Sequence, residues 1–414
     1  GRVRTIEPAV HATVLLRVVH VEGIIHVAMV EQHPKVEAAA AALEDPKVVV
    51  LVEVGEEAVV DGEDDALNDL LSRVCEMTER LDAADGLTLL QSRDIWTLGR
   101  MANSVRHRLH GRTTYYNINR HLNYSNLCAL SCKFCAFYRK KGDDGAYEYS
   151  LDQIAEEATK AAAAGATEMH IVGGLHPWLP FEYYTDMLKA IREAAPKLHI
   201  KAFTAVEIVH LARISKRPND LRAVLSDLKE AGLGSLPGGG AEVFDDRVHD
   251  EAFKGKIRSD KWIEVHEVAH ELGIKSNATI LYGHIESLED RVHHLCMLRE
   301  AQDKAIANDL PGRFQTVIPL PFIPDDSELE HLPGPSGLEN LKMLAVSRLI
   351  LDNFAHVKSF WIMQTLELSQ LALQAGVDDM DGTVVWYDIT HVGGEHTHQE
   401  VGVTELRTVI RDAG

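Results

Sequence analysis

Three of the five cysteines in this chain fall within one short segment, Cys128-Ala-Leu-Ser-Cys132-Lys-Phe-Cys135. In 414 residues holding five cysteines, a C-x3-C-x2-C spacing arises by chance roughly 0.0007 times. Thiolates two or three residues apart can turn inward from one loop onto one metal centre. The ligand count then bears on which metal. A structural zinc ion takes four protein ligands, and no fourth Cys or matching His stands close by. Cys75 lies upstream and Cys296 far downstream in a helical segment, and both are expected to be buried apolar thiols. A four-iron cluster usually takes four cysteines. Held by three, it keeps one iron open, much as catalytic zinc keeps an open position. An open iron is a place to bind and reduce another molecule. A zinc-binding interaction module and an electron-carrying iron–sulfur protein stand beside that reading. A carrier would normally supply a fourth Cys and has no need of so long a chain.

The elements around this segment must hold it at a rim. Tyr115–Leu122 is predicted as a strand just ahead of Cys128. Ser150-Leu-Asp-Gln153 has the pattern of a capping box and opens an Ala-rich helix that stops at Gly165. Glu168–Val172 is a short strand run before Gly173-Gly174, and a helix follows over Phe181–Ala195. His199–Thr204, Lys275–Tyr282, Phe314–Leu320 and Ser359–Met363 are further predicted strands, each followed by a helical segment. Repeated β-then-α units imply a parallel sheet. Six or more of them imply an α/β fold, a partial or complete (β/α) TIM-type barrel whose chemistry gathers on the loops after the strands. A lead-in helix within Leu87–His110 ends at Gly111, and a last helix over about Val403 to Ala413 packs outside.

Residues 1–70 differ, being rich in Val, Ala and Glu. They are predicted to be an N-terminal extension, either a small β-rich appendage or a poorly ordered segment, with the barrel over residues 71–414. The chain carries 63 acidic against 42 basic residues, a formal net charge of -21. It lacks the clustered Lys and Arg that phosphate contacts need, so nucleic acid is not an expected partner. No run reaches the roughly 18 apolar residues of a membrane helix. The nearest, Val14 to Val30, is broken by Arg17, His20, Glu22 and His26. The same acidic and His residues argue against a secretory signal. Membrane insertion is not expected, and the expected compartment is the cytoplasm. So sparse a set of cysteines is unlike a disulfide framework.

With the aromatic Phe134 before its last cysteine, the C-x3-C-x2-C segment resembles the signature of the radical S-adenosylmethionine superfamily. That resemblance implies a [4Fe–4S] cluster on Cys128, Cys132 and Cys135. S-adenosylmethionine would chelate the open iron through its amino and carboxylate groups, and reductive cleavage would give a 5′-deoxyadenosyl radical. A β/α barrel with the cluster loop after its first strand is implied as well. A second resemblance covers about Leu87 to Gly414. It is to enzymes of the futalosine route to menaquinone and their deazaflavin-pathway relatives. It rests on Asn117-Ile-Asn-Arg-His-Leu-Asn123, Gly173-Gly-Leu-His-Pro177, Lys201-Ala-Phe-Thr-Ala-Val-Glu-Ile208, Leu236-Pro-Gly-Gly-Gly-Ala-Glu242, Ser276-Asn-Ala-Thr279 with Tyr282-Gly-His284, and Asp378-Asp-Met-Asp-Gly-Thr383. The Lys201–Ile208 segment is most similar to that of the aminofutalosine synthases. The cyclic dehypoxanthinyl futalosine synthases tend to have a Ser-Pro-Pro-Glu type of segment there.

The implied reaction is addition of the adenosyl radical to the enol-ether double bond of 3-[(1-carboxyvinyl)oxy]benzoate, giving 6-amino-6-deoxyfutalosine and methionine. A hydrogen-abstracting relative, such as a cyclic dehypoxanthinyl futalosine synthase or a deazaflavin-pathway enzyme, is the alternative. An electron donor such as flavodoxin or ferredoxin is the implied partner. On this resemblance Gly173 and Gly174 let backbone approach the methionine amino group, against the plainer reading of a tight turn. Glu207 either accepts from the ribose hydroxyls or amine, or stabilises a helix N-terminus. Gly238 and Gly239 belong to a loop that could cradle S-adenosylmethionine. His176, Asn277, Tyr282 and His284 are candidates to face the dianionic substrate, although a lone His is more often structural. No catalytic residue is assigned. His391, His396 and His398 lie in a Gly-rich loop without metal-ligand spacing and are read as non-metal.

Overall fold

The ladder of this protein begins and ends in the same stretch of chain. In the computed structural model, which describes residues 65–76, 79–383 and 400–414, nine strands pair in parallel in the order β1-β9-β8-β7-β6-β5-β4-β3-β2. They are β1 (Tyr115–Tyr116), β2 (Asn119–Leu122), β3 (Glu168–Ile171), β4 (His199–Ala202), β5 (Ser235–Leu236), β6 (Lys275–Tyr282), β7 (Phe314–Pro321), β8 (His356–Ser359) and β9 (Asp379–Met380). The predicted strand Tyr115–Leu122 is therefore divided at Asn117-Ile118. Its first part pairs with β9 and its second with β3, so the two ends of the sheet meet and the barrel closes on itself. Asn119 Nδ2 donates to Asp381 Oδ2 at 3.4 Å and Thr383 Oγ1 to the Asn119 carbonyl at 3.0 Å across this seam.

Fourteen helices are described: α1 (Asp65–Glu76), α2 (Ala83–Gln91), α3 (Ile95–His110), α4 (Leu151–Ala163), α5 (Phe181–Ala194), α6 (Ala205–Ile214), α7 (Leu221–Ala231), α8 (Asp246–Ala252), α9 (Ser259–Glu271), α10 (Leu288–Ala307), α11 (Gly337–Ile350), α12 (Trp361–Gln364), α13 (Leu366–Ala372) and α14 (Val403–Asp412). The Ser150/Gln153 capping box opens α4, with Gln153 N donating to Ser150 Oγ at 3.3 Å and Ser150 N to Gln153 Oε1 at 2.8 Å. The lead-in helix predicted within Leu87–His110 is two helices, because Asp94 Oδ1 caps a new start by accepting from Thr97 N at 2.9 Å. The strand predicted at Ser359–Met363 ends at Ser359, and Trp361 opens the short helix α12 with its Nε1 donating to the Gly382 carbonyl at 2.9 Å. Residues 1–64 and the trio His391, His396 and His398 lie outside the described residues. Among those described, no helix is long and apolar enough to cross a membrane.

Side chains alternate along each strand, and the contacts identify the two faces. Met169, Ile171, Ile200 and Ala202 join the buried apolar core. The alternate positions carry a polar interior. Lys201 Nζ lies 2.7 Å from Glu168 Oε1, and Lys358 Nζ lies 3.2 Å from Asp379 Oδ1 and 3.3 Å from Asp381 Oδ1. The His121 and His170 rings, with centroids 4.5 Å apart, meet at a tilt of 51°. Burial pushes His121 down to about 4 and His170 well below its ordinary value, so both are neutral at physiological pH. Burial pushes Asp379 up to about 6 in spite of Lys358.

On the outer face of the seam, Asp378 and Arg348 form a fully buried pair. The guanidinium also donates from Nε to the Gly376 carbonyl at 2.9 Å, and the carboxylate accepts from Val357 N at 2.9 Å and lies 2.5 Å from His356 Nδ1. Burial alone would raise the Asp378 carboxyl, but His356 and Arg348 outweigh it and hold it below the usual range. Asp378→Asn keeps the shape and strands a buried charge. The expected loss is about 3–5 kcal/mol of unfolding free energy, read by urea denaturation. A depressed folded pKa stabilises above the unfolded value near pH 4, so this contribution disappears on acidification below that pH.

Candidate active site

The loop between β2 and α4 carries all three clustered cysteines and is held by its own backbone. Cys128 N donates to the Arg139 carbonyl at 3.1 Å, Arg139 N to the Asn126 carbonyl at 2.8 Å, and Cys135 N to the Cys132 carbonyl at 3.1 Å. Lys140 Nζ reaches over the loop to the carbonyls of Cys128 and Leu130 at 2.9 and 2.8 Å. Cys128 Sγ accepts two backbone N–H groups, from Leu130 and Leu175, both at 3.4 Å. Cys132 is buried, and Cys128 and Cys135 are partly exposed. Burial pushes the Cys132 thiol up to about 11 and raises that of Cys135, so a bound cation is what would hold them as thiolates.

The donor set fits a cluster better than a single ion. Among the described residues, the one trio of donor atoms all within 4.8 Å of one another is His110, His356 and Asp378. Cys128, Cys132 and Cys135 do not form such a trio. The His110 trio lies at the opposite end of the barrel, and His110 Nε2 is committed to the Ala355 carbonyl at 2.6 Å. Cys296 sits alone on α10 with Arg299 Nη2 at 4.0 Å. The side chain of Cys75 lies outside the described residues.

The other loops at the C-terminal ends of the strands close on this one. Gly174 N donates to the Ser125 carbonyl at 2.8 Å and Ala129 N to the Leu175 carbonyl at 2.9 Å. A Cβ on Gly174 would lie 2.3 Å from the Leu127 oxygen, and one on Gly173 would lie 2.5 Å from the Tyr124 ring. Glu207 ties the same pieces together. Its carboxylate accepts from Thr204 N at 2.7 Å, Thr204 Oγ1 at 2.8 Å, Tyr124 OH at 2.9 Å and Gly173 N at 3.1 Å. Thr204 and Glu207 form the capping box of α6, and burial pushes the Glu207 carboxyl up to about 7 despite these donors. The Gly238 loop packs on both neighbours. Its carbonyl accepts from Thr279 Oγ1 at 2.7 Å, and a Cβ on Gly239 would meet Thr204 at 3.1 Å.

The four substrate candidates separate. His176 is buried beside the cluster loop, with Nδ1 accepting from Trp178 N and Leu179 N at 3.2 and 3.1 Å. Its proton is therefore on Nε2, which donates to Glu148 Oε2 at 2.8 Å. On β6, Ser276 faces α9, where His270 Nε2 meets its hydroxyl at 2.7 Å. Alternation then turns Asn277 to the barrel interior, buried and, among the described residues, without a hydrogen-bond partner for its amide. Tyr282 lies on the other face and donates to Asn340 Oδ1 of α11 at 2.8 Å. His284 Nε2 donates to the Leu281 carbonyl at 3.1 Å, and Glu286 lies against its other nitrogen at 3.3 Å. The interior charges Glu168, Lys201, Lys358, Asp379 and Asp381 and the buried pair Lys256–Glu242 were not foreseen. The alternation of polar with apolar residues in Glu168-Met-His-Ile171 was the available signal for the first group.

The radical SAM superfamily model matches residues 122–298, and the CofH/MqnC C-terminal region matches residues 312–414. The chain is 43% identical over 340 residues to the aminodeoxyfutalosine synthase of Thermus thermophilus, covering 81% of this chain and 89% of that protein. It is 42% identical over 347 residues to that of Streptomyces coelicolor, covering 81% and 88%. It is 36% identical over 341 residues to the 5-amino-6-(D-ribitylamino)uracil–L-tyrosine 4-hydroxyphenyl transferase of Methanosphaerula palustris, covering 81% and 91%. Among solved structures, methylornithine synthase shares the fold with a TM-score of 0.61 at 19% identity, over 83% of this chain and 95% of that one. The barrel, the cysteine loop at its rim and these relatives agree: the chain is an enzyme of the radical S-adenosylmethionine superfamily, which works with a [4Fe–4S] cluster and S-adenosylmethionine, and it belongs there to the group of the aminodeoxyfutalosine synthases.

Proposed function

We propose that this enzyme joins the 5′-deoxyadenosyl group of S-adenosylmethionine to the enol-ether carbon of 3-[(1-carboxyvinyl)oxy]benzoate. The products are 6-amino-6-deoxyfutalosine, methionine and the lost carboxylate as CO2 or bicarbonate, a step of menaquinone biosynthesis. The observation that carries this reading is the 43% identity to an aminodeoxyfutalosine synthase over nine-tenths of that protein's length, against 36% to the hydroxyphenyl transferase. The segment Lys201–Ile208, which builds β4 and the start of α6, supports it.

Cys128, Cys132 and Cys135 would hold three irons and leave the fourth to the methionine amino and carboxylate groups. When bound, the cluster supplies the electron that cleaves the sulfonium C–S bond; a small protein such as flavodoxin or ferredoxin is the proposed source. The chain's share is placement and exclusion of water. Glu207 fixes Tyr124 and Gly173, so that the Gly173-Gly174 backbone lies flush against the cluster loop where the methionine end would rest. Asn277 offers an unused amide inside the barrel for a substrate carboxylate. The test is anaerobic reconstitution, turnover with S-adenosylmethionine and the enol ether, and product mass. One product carrying both adenosine and benzoate skeletons is expected; consumption of the enol ether without it contradicts the proposal.

A further inference from the structure

The end of α8 and the loop after it pack on the cysteine loop. Lys133 N donates to the Ala252 carbonyl at 2.9 Å, and the Phe134 and Phe253 rings meet edge to face at 6.0 Å. Three residues further, Lys256 places its ammonium 4.9 Å from the centroid of the Phe134 ring, between Cys132 and Cys135 in sequence. Its partner is the carboxylate of Glu242, at the end of the Gly-rich loop after β5, and the side chains are only 14% and 10% exposed. Glu242 is held there with its backbone in the left-handed region, φ 47, and its carbonyl accepting from Leu281 N at 3.0 Å. Burying two charges costs several kcal/mol, which their mutual attraction often fails to recover. A tie between two loops could be made by apolar side chains at less cost.

We propose that Lys256 and Glu242 set the reduction potential of the cluster on Cys128, Cys132 and Cys135, Lys256 raising it and Glu242 lowering it. The proposal rests on the reading that these cysteines hold the cluster. An electron added to a cluster raises its negative charge, and in a low-dielectric interior a nearby fixed charge stabilises or opposes that change. Lys256 stands over the Phe134 ring of the cysteine loop, and Glu242 is the partner of its ammonium, so the two charges of opposite sign lie together beside that loop. Removing one charge of the pair leaves the other unopposed beside the loop, so the two removals act in opposite senses.

The test is an anaerobic redox titration of the full chain, reconstituted and followed by EPR of the reduced cluster, with iron and sulfide counted in each variant. Lys256→Met shifts the midpoint to more negative potential, Glu242→Gln to more positive, and Lys256→Arg leaves it near wild type. A merely structural tie predicts loss of cluster or stability with no such opposition of sign. Midpoints unmoved in both variants at full cluster content, or moved in the same direction, overturn the proposal. Should Lys256→Met not retain its cluster, Glu242→Gln decides alone, and anything but a positive shift overturns it. A wild-type chain that binds no four-iron cluster would instead refute the reading of the cysteines.

Discussion

Alanine at any one of Cys128, Cys132 or Cys135 gives a chain without brown iron–sulfur absorption and without turnover. With one iron already left to S-adenosylmethionine, two thiolates cannot retain four irons. The loss is all-or-none, because the loop that carries them is stiff and offers no substitute ligand. Its neighbours are carbonyls and N–H groups tied to Arg139, Asn126 and Lys140. Cys296→Ala and Cys75→Ala keep the absorption, Cys296 being alone on its helix. Iron and acid-labile sulfide per chain, measured after anaerobic reconstitution, check both halves. Absorption lost in Cys296→Ala but kept in Cys132→Ala would overturn the assignment.

Gly174→Ala is expected to lower turnover by about 10²-fold or more while the chain still folds. The added Cβ would stand 2.3 Å from the Leu127 oxygen and 3.1 Å from Cys128 Cβ. Both neighbours are fixed, so the backbone of the cluster loop has to move. Displacing a reacting centre by about 1 Å costs roughly that factor. Gly402→Ala is the control, since among the described residues nothing lies within 4 Å of a Cβ there. Steady-state rates and cluster content of the two variants separate displacement from general destabilisation: Gly402→Ala matches wild type, and an unchanged rate in Gly174→Ala would mean the glycine pair does not set the loop.

Local signals carried most of this architecture. The cysteine spacing, the Ser150/Gln153 box and the Gly173-Gly174 turn act over a few residues, and each appears where its chemistry requires. Non-local features did not announce themselves. β5 and β9 have two residues each, too short for any alternation to show, and they exist because longer neighbours on both sides hold them. The interior charges sit in strands whose other face is apolar, and it is the closing of the ring that brings Lys201 to 2.7 Å from Glu168. Glu207 could be read as a ligand to ribose or as a helix-capping acid. The fold supplies four donors from its own chain, which makes it the clasp between β2, the glycine turn and α6. Tyr282 and Asn277 differ by five positions on one strand, and strand parity alone sends them to opposite faces.

The fate of the adenosyl group tests the proposed reaction most directly. S-adenosylmethionine labelled in the adenine is supplied with dithionite and 3-[(1-carboxyvinyl)oxy]benzoate to the reconstituted enzyme, and the label is partitioned by chromatography. Addition to the double bond keeps the adenosine carbon skeleton in the product. The label should then move into a single benzoate-containing compound, matched by stoichiometric methionine, with little free 5′-deoxyadenosine. If nearly all the label emerges as free 5′-deoxyadenosine while the enol ether is consumed, the enzyme abstracts hydrogen and the proposed function is wrong.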